Sequence, residues 1–338
     1  MSTPTTVPAS ERIVTTRSAR LRAFIGRHIQ VIAIAAVLVV LVVFFSATAD
    51  RFMTVGNILN LLRQIAPTLI VAVAMTFVIT TAGIDLSVGS IVALTGSLLA
   101  ILIDTGVDPS LSFLAVLALG ALVGAVNGWF SSYQGLPPFI VTLATLSIIR
   151  GTALRVTEGY STPIKDGGWV LQLGQGRLLG VPIPAILAVV IAAAGWFALT
   201  STPFGRYVTG LGSNAESLRR SGVEIRRIGL IVYVLTGLAA ALAGVLVATR
   251  LASGSSNAGV GFELEVITAV VLGGTSLFGG RGSMLGTILG ALTLGVISNG
   301  LVLLHVSPFY VQIVQGSILL LAIFGNTKLW SRFGTAKR

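Results

Sequence analysis

Uncharged apolar stretches recur along the whole chain and constrain its fold more than any other feature. A helix needs about 20 apolar residues to cross the hydrocarbon core of a bilayer. Ten stretches approach that length, at residues 30–49, 66–83, 87–103, 111–131, 138–156, 180–200, 228–249, 264–279, 283–304 and 308–327. Because 54% of the residues are hydrophobic and only 10% are charged, a soluble domain is excluded. The sequence therefore predicts an all-α integral membrane protein with about ten transmembrane helices.

Prolines and run lengths set the boundaries of these predicted helices. The uncharged run 109–149 is divided at "YQGLPPF" and the run 282–327 at "HVSPF", since proline cannot continue a helix. The stretch 264–279 differs from the others because it is short and glycine-rich. The first run, 30–49, is longer than a signal-peptide core and predicts a retained helix. The expected organisation is a basic tail at 1–28, a transmembrane domain at 29–328 containing a loop at 201–227, and a second tail at 329–338.

The distribution of lysine and arginine predicts the orientation of the chain, because cytoplasmic loops carry an excess of these residues. With ten spans and both termini in the cytoplasm, fifteen of the 22 basic residues face the cytoplasm and seven face outside. We therefore expect cytoplasmic N- and C-termini. The basic residues flank apolar segments instead of forming one patch, so the net charge of +11 indicates the lipid bilayer as partner and no nucleic acid.

Residues needed for several kinds of chemistry are missing from the sequence. There are no cysteines and only two histidines, which argues against thiolate or histidine metal centres. No GxxxxGK[ST] phosphate loop, HExxH or GxSxG motif occurs. We therefore expect no catalytic residue, no metal and no cofactor in this chain. Transport would then take its energy from a partner or from an ion gradient.

The loop at 201–227 contains a predicted helix outside the membrane. Ser213 and Glu216 have the spacing of a capping box, in which each side chain satisfies a backbone amide, and Gly222 suits a helix end. These signals predict a two-turn helix over 214–221. Because so short a helix is unstable alone, it is either a basic anchor at the lipid head groups or a docking helix for a cytoplasmic protein.

Asp85 is a carboxylate between two uncharged runs, in "TTAGIDLSVGS". A charge at membrane depth costs about 3 kcal/mol or more. Asp85 is therefore expected either in a cytoplasmic turn, capping the next helix, or in a re-entrant segment that lines a pathway. The sequence leaves both alternatives open.

The membrane domain also contains two stripes of glycine at four-residue spacing. They are Gly120, Gly124 and Gly128, and Gly282, Gly286 and Gly290. Small residues at this spacing let helices in lipid approach closely. With 40 glycines in the chain, chance is the alternative explanation.

Four segments resemble, in the same order, blocks of the permease subunits of bacterial ABC sugar importers of the ribose, arabinose and galactofuranose type. They are "MTFVITTAGIDLSVGSIVALTG", "PPFIVTLATLSIIRG", "FGRYVTGLGSNAESLRRSGV" and "ELEVITAVVLGGTSLFGGRGS". The resemblance runs from about residue 30 to 328. It implies a multi-pass permease of the bacterial inner membrane that pairs with a second copy or a sister permease. Cytoplasmic ATPase subunits, which hold ATP and Mg, and a periplasmic sugar-binding protein are the other implied partners.

The resemblance also assigns roles to residues. The loop helix becomes a coupling helix that docks on the ATPase, through Gly212, Ser213, Asn214, Glu216, Leu218, Arg219, Arg220 and Gly222. Ser217 and Leu218 stand where alanines are commoner in the family. Candidates for a weakly polar sugar pathway are Asp85, Ser87, Thr95, Asn127, Thr142 and Asn299, with helix–helix hydrogen bonds as the alternative. Glu263 and Glu265 are expected either to contact the binding protein or to cap a helix, and Arg150 is expected to snorkel.

Three hypotheses of function follow from these observations. The first is a permease that imports a pentose or hexose with ATP hydrolysed by a separate subunit. The second is an ion-coupled transporter of a small polar solute that uses Asp85 as its proton or sodium site. The third, a membrane enzyme or scaffold, lacks a convergent set of catalytic groups.

Overall fold

Helices make up nearly all the regular structure of this computed structural model, which describes the backbone of residues 17–334 and the side chains of 30–307 and 309–324. The helices of this part of the chain are α1 (Arg17–Thr48), α2 (Val55–Thr80), α3 (Val88–Asp104), α4 (Pro109–Ser132), α5 (Pro138–Thr157), α6 (Gly168–Gln175), α7 (Ile183–Ser201), α8 (Pro203–Arg220), α9 (Ile225–Leu251), α10 (Phe262–Leu272), α11 (Met284–Leu303) and α12 (Pro308–Gly334). Two small antiparallel pairs join β1 (Thr162–Pro163) to β4 (Ser253–Gly254) and β2 (Arg177–Leu178) to β3 (Val181–Pro182). The predicted tails, 1–28 and 329–338, lie partly outside the described residues and stay predictions.

The all-α fold class predicted from hydropathy is confirmed. Nine of the ten predicted spans correspond to a helix of similar extent. Within the described residues, seven helices are long and apolar enough to cross a membrane, and α3 and the apolar part of α12 are shorter. On α1, Val39, Val40 and Val43 are each more than 60% exposed, as expected for side chains that face lipid.

The predicted span at 264–279 is wrong. Its helix, α10, has 11 residues and a length of about 16 Å, roughly half the thickness of the hydrocarbon core. Three glycines at 274, 279 and 280 have positive φ angles, which a continuing helix does not allow, so the chain returns to α11 without helical structure. Non-helical backbone at membrane depth is tolerated where protein buries it or where it lines a cavity.

Helix α2 lies at the centre of the bundle. Every residue of α2 from Ile65 to Thr80 is buried, because this half of the helix is apolar on all sides and helices surround it. Its neighbours include α7, α9, α10 and α11. The end of α2 at Thr80 is thereby held at a fixed position inside the protein.

The first glycine stripe and two members of the second, Gly286 and Gly290, are confirmed as close helix contacts, whereas Gly282 precedes α11 and lies against the side chains of Thr80 and Leu199. A Cβ atom at Gly120 would lie 2.5 Å from the carbonyl oxygen of Gly237, and one at Gly124 would overlap the main chain of Tyr233, both on α9. In the second stripe, Gly286 lies against the main chain of Gly273 and Gly290 against that of Ala269, beside and within α10. Backbone therefore contacts backbone across the pairs α4–α9 and α10–α11.

The bundle has two ends, which we call the α8 end and the α6 end. At the α8 end, α8 lies beside the last residue of α2. At the α6 end, Gln175 of α6 donates from Nε2 to the Thr249 carbonyl of α9 at 3.0 Å. The β2–β3 hairpin also lies there, with Leu179 and Gly180 at positive φ forming its two-residue turn.

Candidate functional site

The segment between α2 and α3 carries Asp85 into the protein interior. Helix α2 ends at Thr80, and the chain turns at Ala82, whose φ of 65° is left-handed. Gly83 passes so close to Tyr233 that a Cβ atom there would lie 2.5 Å from the phenol oxygen. Asp85 and Ser87 are both 0% exposed. The carboxylate is therefore surrounded by protein and does not lie in an open turn.

A chain of hydrogen bonds ties this carboxylate to α3, α4 and α5. Asp85 Oδ1 accepts from the Ser87 backbone N–H at 2.9 Å and from Ser87 Oγ at 2.6 Å. Asn127 of α4 donates to Ser87 Oγ at 2.9 Å, and Thr145 of α5 donates to Asn127 Oδ1 at 2.7 Å. We call these four side chains the Asp85 network.

The Asp85 network combines features of both sequence-based alternatives. Ser87 is the N-cap of α3, so Asp85 satisfies an amide at a helix start, as the capping alternative expects. The segment nevertheless lies buried inside the bundle, and Asp85 Oδ2 has no hydrogen-bond partner among the described residues. A buried oxygen without a partner is costly and rare.

The other pathway candidates lie at separate places. Thr142 donates to the Ile84 carbonyl at 3.1 Å and so adjoins the Asp85 network. Thr95 bonds the Ile91 carbonyl at 2.7 Å within its own helix. Asn299 exchanges two hydrogen bonds with Asn57, at 2.9 and 3.0 Å, between α11 and α2. The structure thus brings four of the six candidates together, Asp85, Ser87, Asn127 and Thr142.

Sequence reasoning missed Thr145 and Tyr233, which also belong to this region. Tyr233 of α9 is 3% exposed, and its hydroxyl lies close to Gly83 and to the Ser131 side chain. Thr145 lies three residues after Thr142, so both can reach the same neighbours from one helix face. That spacing was the available signal for Thr145.

Helix α8 differs from the predicted two-turn helix. It begins at Pro203 and is interrupted at Asn214, whose φ of −161° and ψ of 90° are not helical. Asn214 Oδ1 accepts from the Ser217 N–H at 2.9 Å, so Asn214 is the cap of the second part, 215–220. The predicted capping box is therefore wrong: Ser213 Oγ donates to the Thr209 carbonyl at 2.8 Å, inside the first part. The predicted end at Gly222 is confirmed by its φ of 81°.

Exposed charges cover the second part of α8. Glu216 forms ion pairs with Arg219 at 2.8 Å and Arg220 at 2.9 Å. Hydrogen bonds from these two arginines hold the pKa of Glu216 below its usual range. Such exposed pairs contribute little stability. The ion pairs instead hold these charges in fixed positions on a part of the α8 surface that no other described residue covers.

The first part of α8 meets two distant segments through main-chain atoms. The Gly280 N–H donates to the Thr80 carbonyl at 2.9 Å. Gly212 lies against both groups, since a Cβ atom there would lie 2.5 Å from Gly280 N and would overlap the Thr80 oxygen. We call this contact of Thr80, Gly212 and Gly280 the glycine junction. It joins α8 to the end of α2 and to the α10–α11 connection.

The acidic residues of α10 are half-buried. Glu265 Oε1 accepts from Thr68 Oγ1 of α2 at 3.0 Å, so this carboxylate faces into the bundle. Arg150 does not snorkel as expected: its guanidinium donates to the carbonyls of Ser256, Ala258 and Gly259 at 2.7, 2.8 and 3.2 Å. The reason is that the loop before α10 presents three carbonyls within reach of α5. Arg150 thereby fixes where α10 begins.

These features define a multi-pass helical membrane protein, and among the described residues no cluster of three or more His, Asp or Glu is placed to hold a metal. Residues 57–323 match the family described as "Branched-chain amino acid transport system / permease component", and the chain belongs to that family. It is a multi-pass protein of the inner membrane and a transport subunit, not a catalytic one.

Three relatives illustrate the similarity. The ribose import permease protein RbsC of Escherichia coli (strain K12) is 43% identical over 86% of this chain and 92% of its own length. The D-allose transport system permease protein AlsC of the same organism is 36% identical over 84% and 87%. Its xylose transport system permease protein XylH is 35% identical over 88% and 91%. No solved structure matched the chain.

Proposed function

We propose that this chain forms the translocation pathway of an ABC importer for a monosaccharide, a pentose or hexose, together with a second copy or a sister permease. The similarity to ribose, allose and xylose permeases over nearly the whole chain carries this proposal. ATP and Mg would be held by a separate ATPase, since this sequence has no phosphate loop.

The α8 end is the proposed docking surface for the ATPase and the proposed cytoplasmic face. Its support is the capped, charged segment 215–220, which is exposed yet connected to α2 through the glycine junction. Residues of both parts would form the coupling surface: Gly212, Ser213, Asn214, Glu216, Leu218, Arg219, Arg220 and Gly222. A movement of the ATPase would reach the membrane helices through this connection.

The α6 end is the proposed docking surface for a periplasmic sugar-binding protein. It carries α6 and the β2–β3 hairpin, in which Leu179 at the turn is 97% exposed. An exposed leucine at a hairpin tip is suited to insertion into a partner surface. Neither acidic residue of α10 is placed for this contact, because a carboxylate oxygen of Glu263 is buried against Gly89 and that of Glu265 is directed at Thr68.

Co-purification tests the proposed assembly. The tagged full-length chain, solubilised gently from its native membrane, is expected to retain an ATPase identified by mass spectrometry. A second form lacking residues 213–222 is expected to lose that ATPase, because the docking segment is gone, while still inserting in the membrane. Purification of both forms alone would contradict the proposal.

Asp85→Asn is expected to preserve most ATP-driven uptake. An asparagine Oδ1 can still accept from Ser87 N and Oγ, so the start of α3 keeps its cap and only the charge is lost. We expect uptake in reconstituted vesicles to stay within about fivefold of the unsubstituted protein, the effect of weakening hydrogen bonds by ~1 kcal/mol.

The control for this prediction is Asp85→Ala. Alanine removes the acceptor of both the Ser87 N–H and the Ser87 hydroxyl, so a larger loss is expected. An Asp85→Asn protein that inserts normally but transports nothing would favour the ion-coupled hypothesis instead.

A further inference from the structure

A cavity of about 570 Å³ lies between α2, α10, α11 and α12, on the side of the bundle away from α8. It belongs neither to the Asp85 network nor to the glycine junction, and none of the sequence-based pathway candidates lines it. Its wall includes seven side chains with hydrogen-bonding groups: Gln64, Thr68, Arg250, Glu265, Ser298, Gln312 and Gln315. Its volume falls in the range of small-molecule sites in proteins, roughly 300 to 1,000 Å³.

Two opposite charges line this cavity without closing on each other. Glu265 Oε1 accepts from Thr68, which is itself only 5% exposed. The Arg250 guanidinium makes no hydrogen bond or ion pair within the described part of the chain, although Glu265 lines the same space. A cation and a carboxylate so placed would normally pair or be solvated, because removing a charge from water without a partner is costly. A ligand group between the two side chains could therefore donate a hydrogen bond to Glu265 and accept one from Arg250.

The other polar side chains of the cavity wall can also both donate and accept hydrogen bonds. Gln64, Gln312 and Gln315 each carry a donor and an acceptor, and among these only Gln315 is bonded to a described side chain, Ser298 Oγ at 3.3 Å. Hydroxyl groups are suited to such a wall, since each donates to a carboxylate or amide oxygen and accepts from a guanidinium or amide N–H. Arg63 is near enough to Arg250 to interact with it, but it donates to the Gln175 carbonyl and does not line the cavity. The wall itself therefore carries one positive and one negative charge, which favours a solute without net charge.

We propose that the α2–α10–α12 cavity recognises an uncharged polyhydroxylated solute of monosaccharide size, with Glu265 and Arg250 as hydrogen-bond partners of its hydroxyl groups. The proposal rests on the proposed function and adds a recognition site within the membrane domain. Thr68 orients Glu265 by a hydrogen bond. Arg150 does not line the cavity, and its role is to position α10 by fixing the loop from which that helix starts.

The absence of cysteine from the sequence permits a direct test. Ser298→Cys places a single thiol in the cavity wall with little change in volume, and Ser217→Cys places one on the exposed part of α8 as a matched control. The full-length chain in nanodiscs is treated with a water-soluble maleimide, alone or with D-ribose, D-xylose, D-allose or L-leucine. At a sugar concentration of about twice Kd, two thirds of the sites are occupied, so labelling of Ser298→Cys is expected to slow about threefold.

Two variants of α10 show whether the cavity side chains are responsible. Glu265→Gln, combined with Ser298→Cys, is expected to raise the half-protecting sugar concentration about tenfold, since a hydrogen bond to a charged acceptor becomes a weaker one to a neutral acceptor. Glu263→Gln is the matched control, because Glu263 lies two residues away and does not line the cavity. Gel filtration and an unchanged labelling rate of Ser217→Cys verify that each variant is folded.

The outcomes separate this proposal from the proposed function. Sugar protection that weakens with Glu265→Gln and persists with Glu263→Gln supports the site. Protection by none of the sugars, equal protection in both variants, or stronger protection by L-leucine than by any sugar overturns it. If sugar uptake in the native membrane still requires the chain while protection is missing, only the recognition site fails; if uptake does not require the chain, the proposed function fails.

Discussion

Replacing Gly124 with valine is expected to force α4 and α9 apart and to leave little folded protein in the membrane. A Cβ atom at Gly124 would overlap the Tyr233 carbonyl and approach the Val234 Cα, so no side-chain rearrangement can make room. Overpacking that only the backbone can relieve costs about 3 kcal/mol. The measurement is the thermal unfolding of the purified chain in detergent, together with its yield from the membrane.

Gly151→Val is the matched control for this prediction. Gly151 lies on α5, is exposed, and has no atom within 4 Å of the position where a Cβ would be. We expect this variant to express and unfold like the unsubstituted protein. Equal behaviour of the two variants would show that the α4–α9 contact does not determine stability.

Leu218→Pro is expected to abolish uptake while the protein still inserts. Leu218 is the fourth residue after the Asn214 cap, where proline removes a helical N–H and its ring clashes with the carbonyl of Asn214. The penalty of about 3 kcal/mol exceeds what a two-turn helix gains on its own, so the docking segment loses its shape. Uptake of labelled sugar by cells, alongside the amount of protein in the membrane, measures both parts of the prediction.

Ala215→Pro provides the control for Leu218→Pro. Position 215 directly follows the cap, where the N–H has no helical acceptor and proline fits the first turn. The preceding Asn214 already has the extended backbone that proline requires. We expect uptake near that of the unsubstituted chain. Normal uptake by Leu218→Pro, with Ala215→Pro also normal, would remove the basis for coupling through α8.

Hydropathy predicted the membrane class and most helix positions because the bilayer imposes a length and a composition on every spanning helix. The prediction failed at 264–279, where glycines end α10 after 11 residues. Hydropathy averaged over a stretch of sequence does not distinguish an apolar loop that neighbouring helices bury from an apolar helix. The same limit hid the early start of α2 at Val55, since its first turns carry Asn57, Arg63 and Gln64.

Local spacing gave the position of the α8 cap only to within one residue. Ser213 and Asn214 are both good caps, and the deciding factor is tertiary: Ser213 packs against Gly280, which keeps it in the first part of the helix. For the same reason the sequence left the two interpretations of Asp85 open. Asn127, which connects Asp85 to α4 through Ser87, lies 40 residues after Ser87 in the sequence, so this contact exists only when α4 packs beside α3.

The glycine junction also has a mechanical consequence. Thr80, Gly212 and Gly280 meet through peptide groups, so no flexible side chain lies between α8 and α2 to absorb a displacement. A push of a few tenths of an ångström on α8 would therefore be delivered to the end of α2 with almost no slack. Asp85 lies only five residues after Thr80, so a displacement of the end of α2 would also move the segment that holds the buried carboxylate.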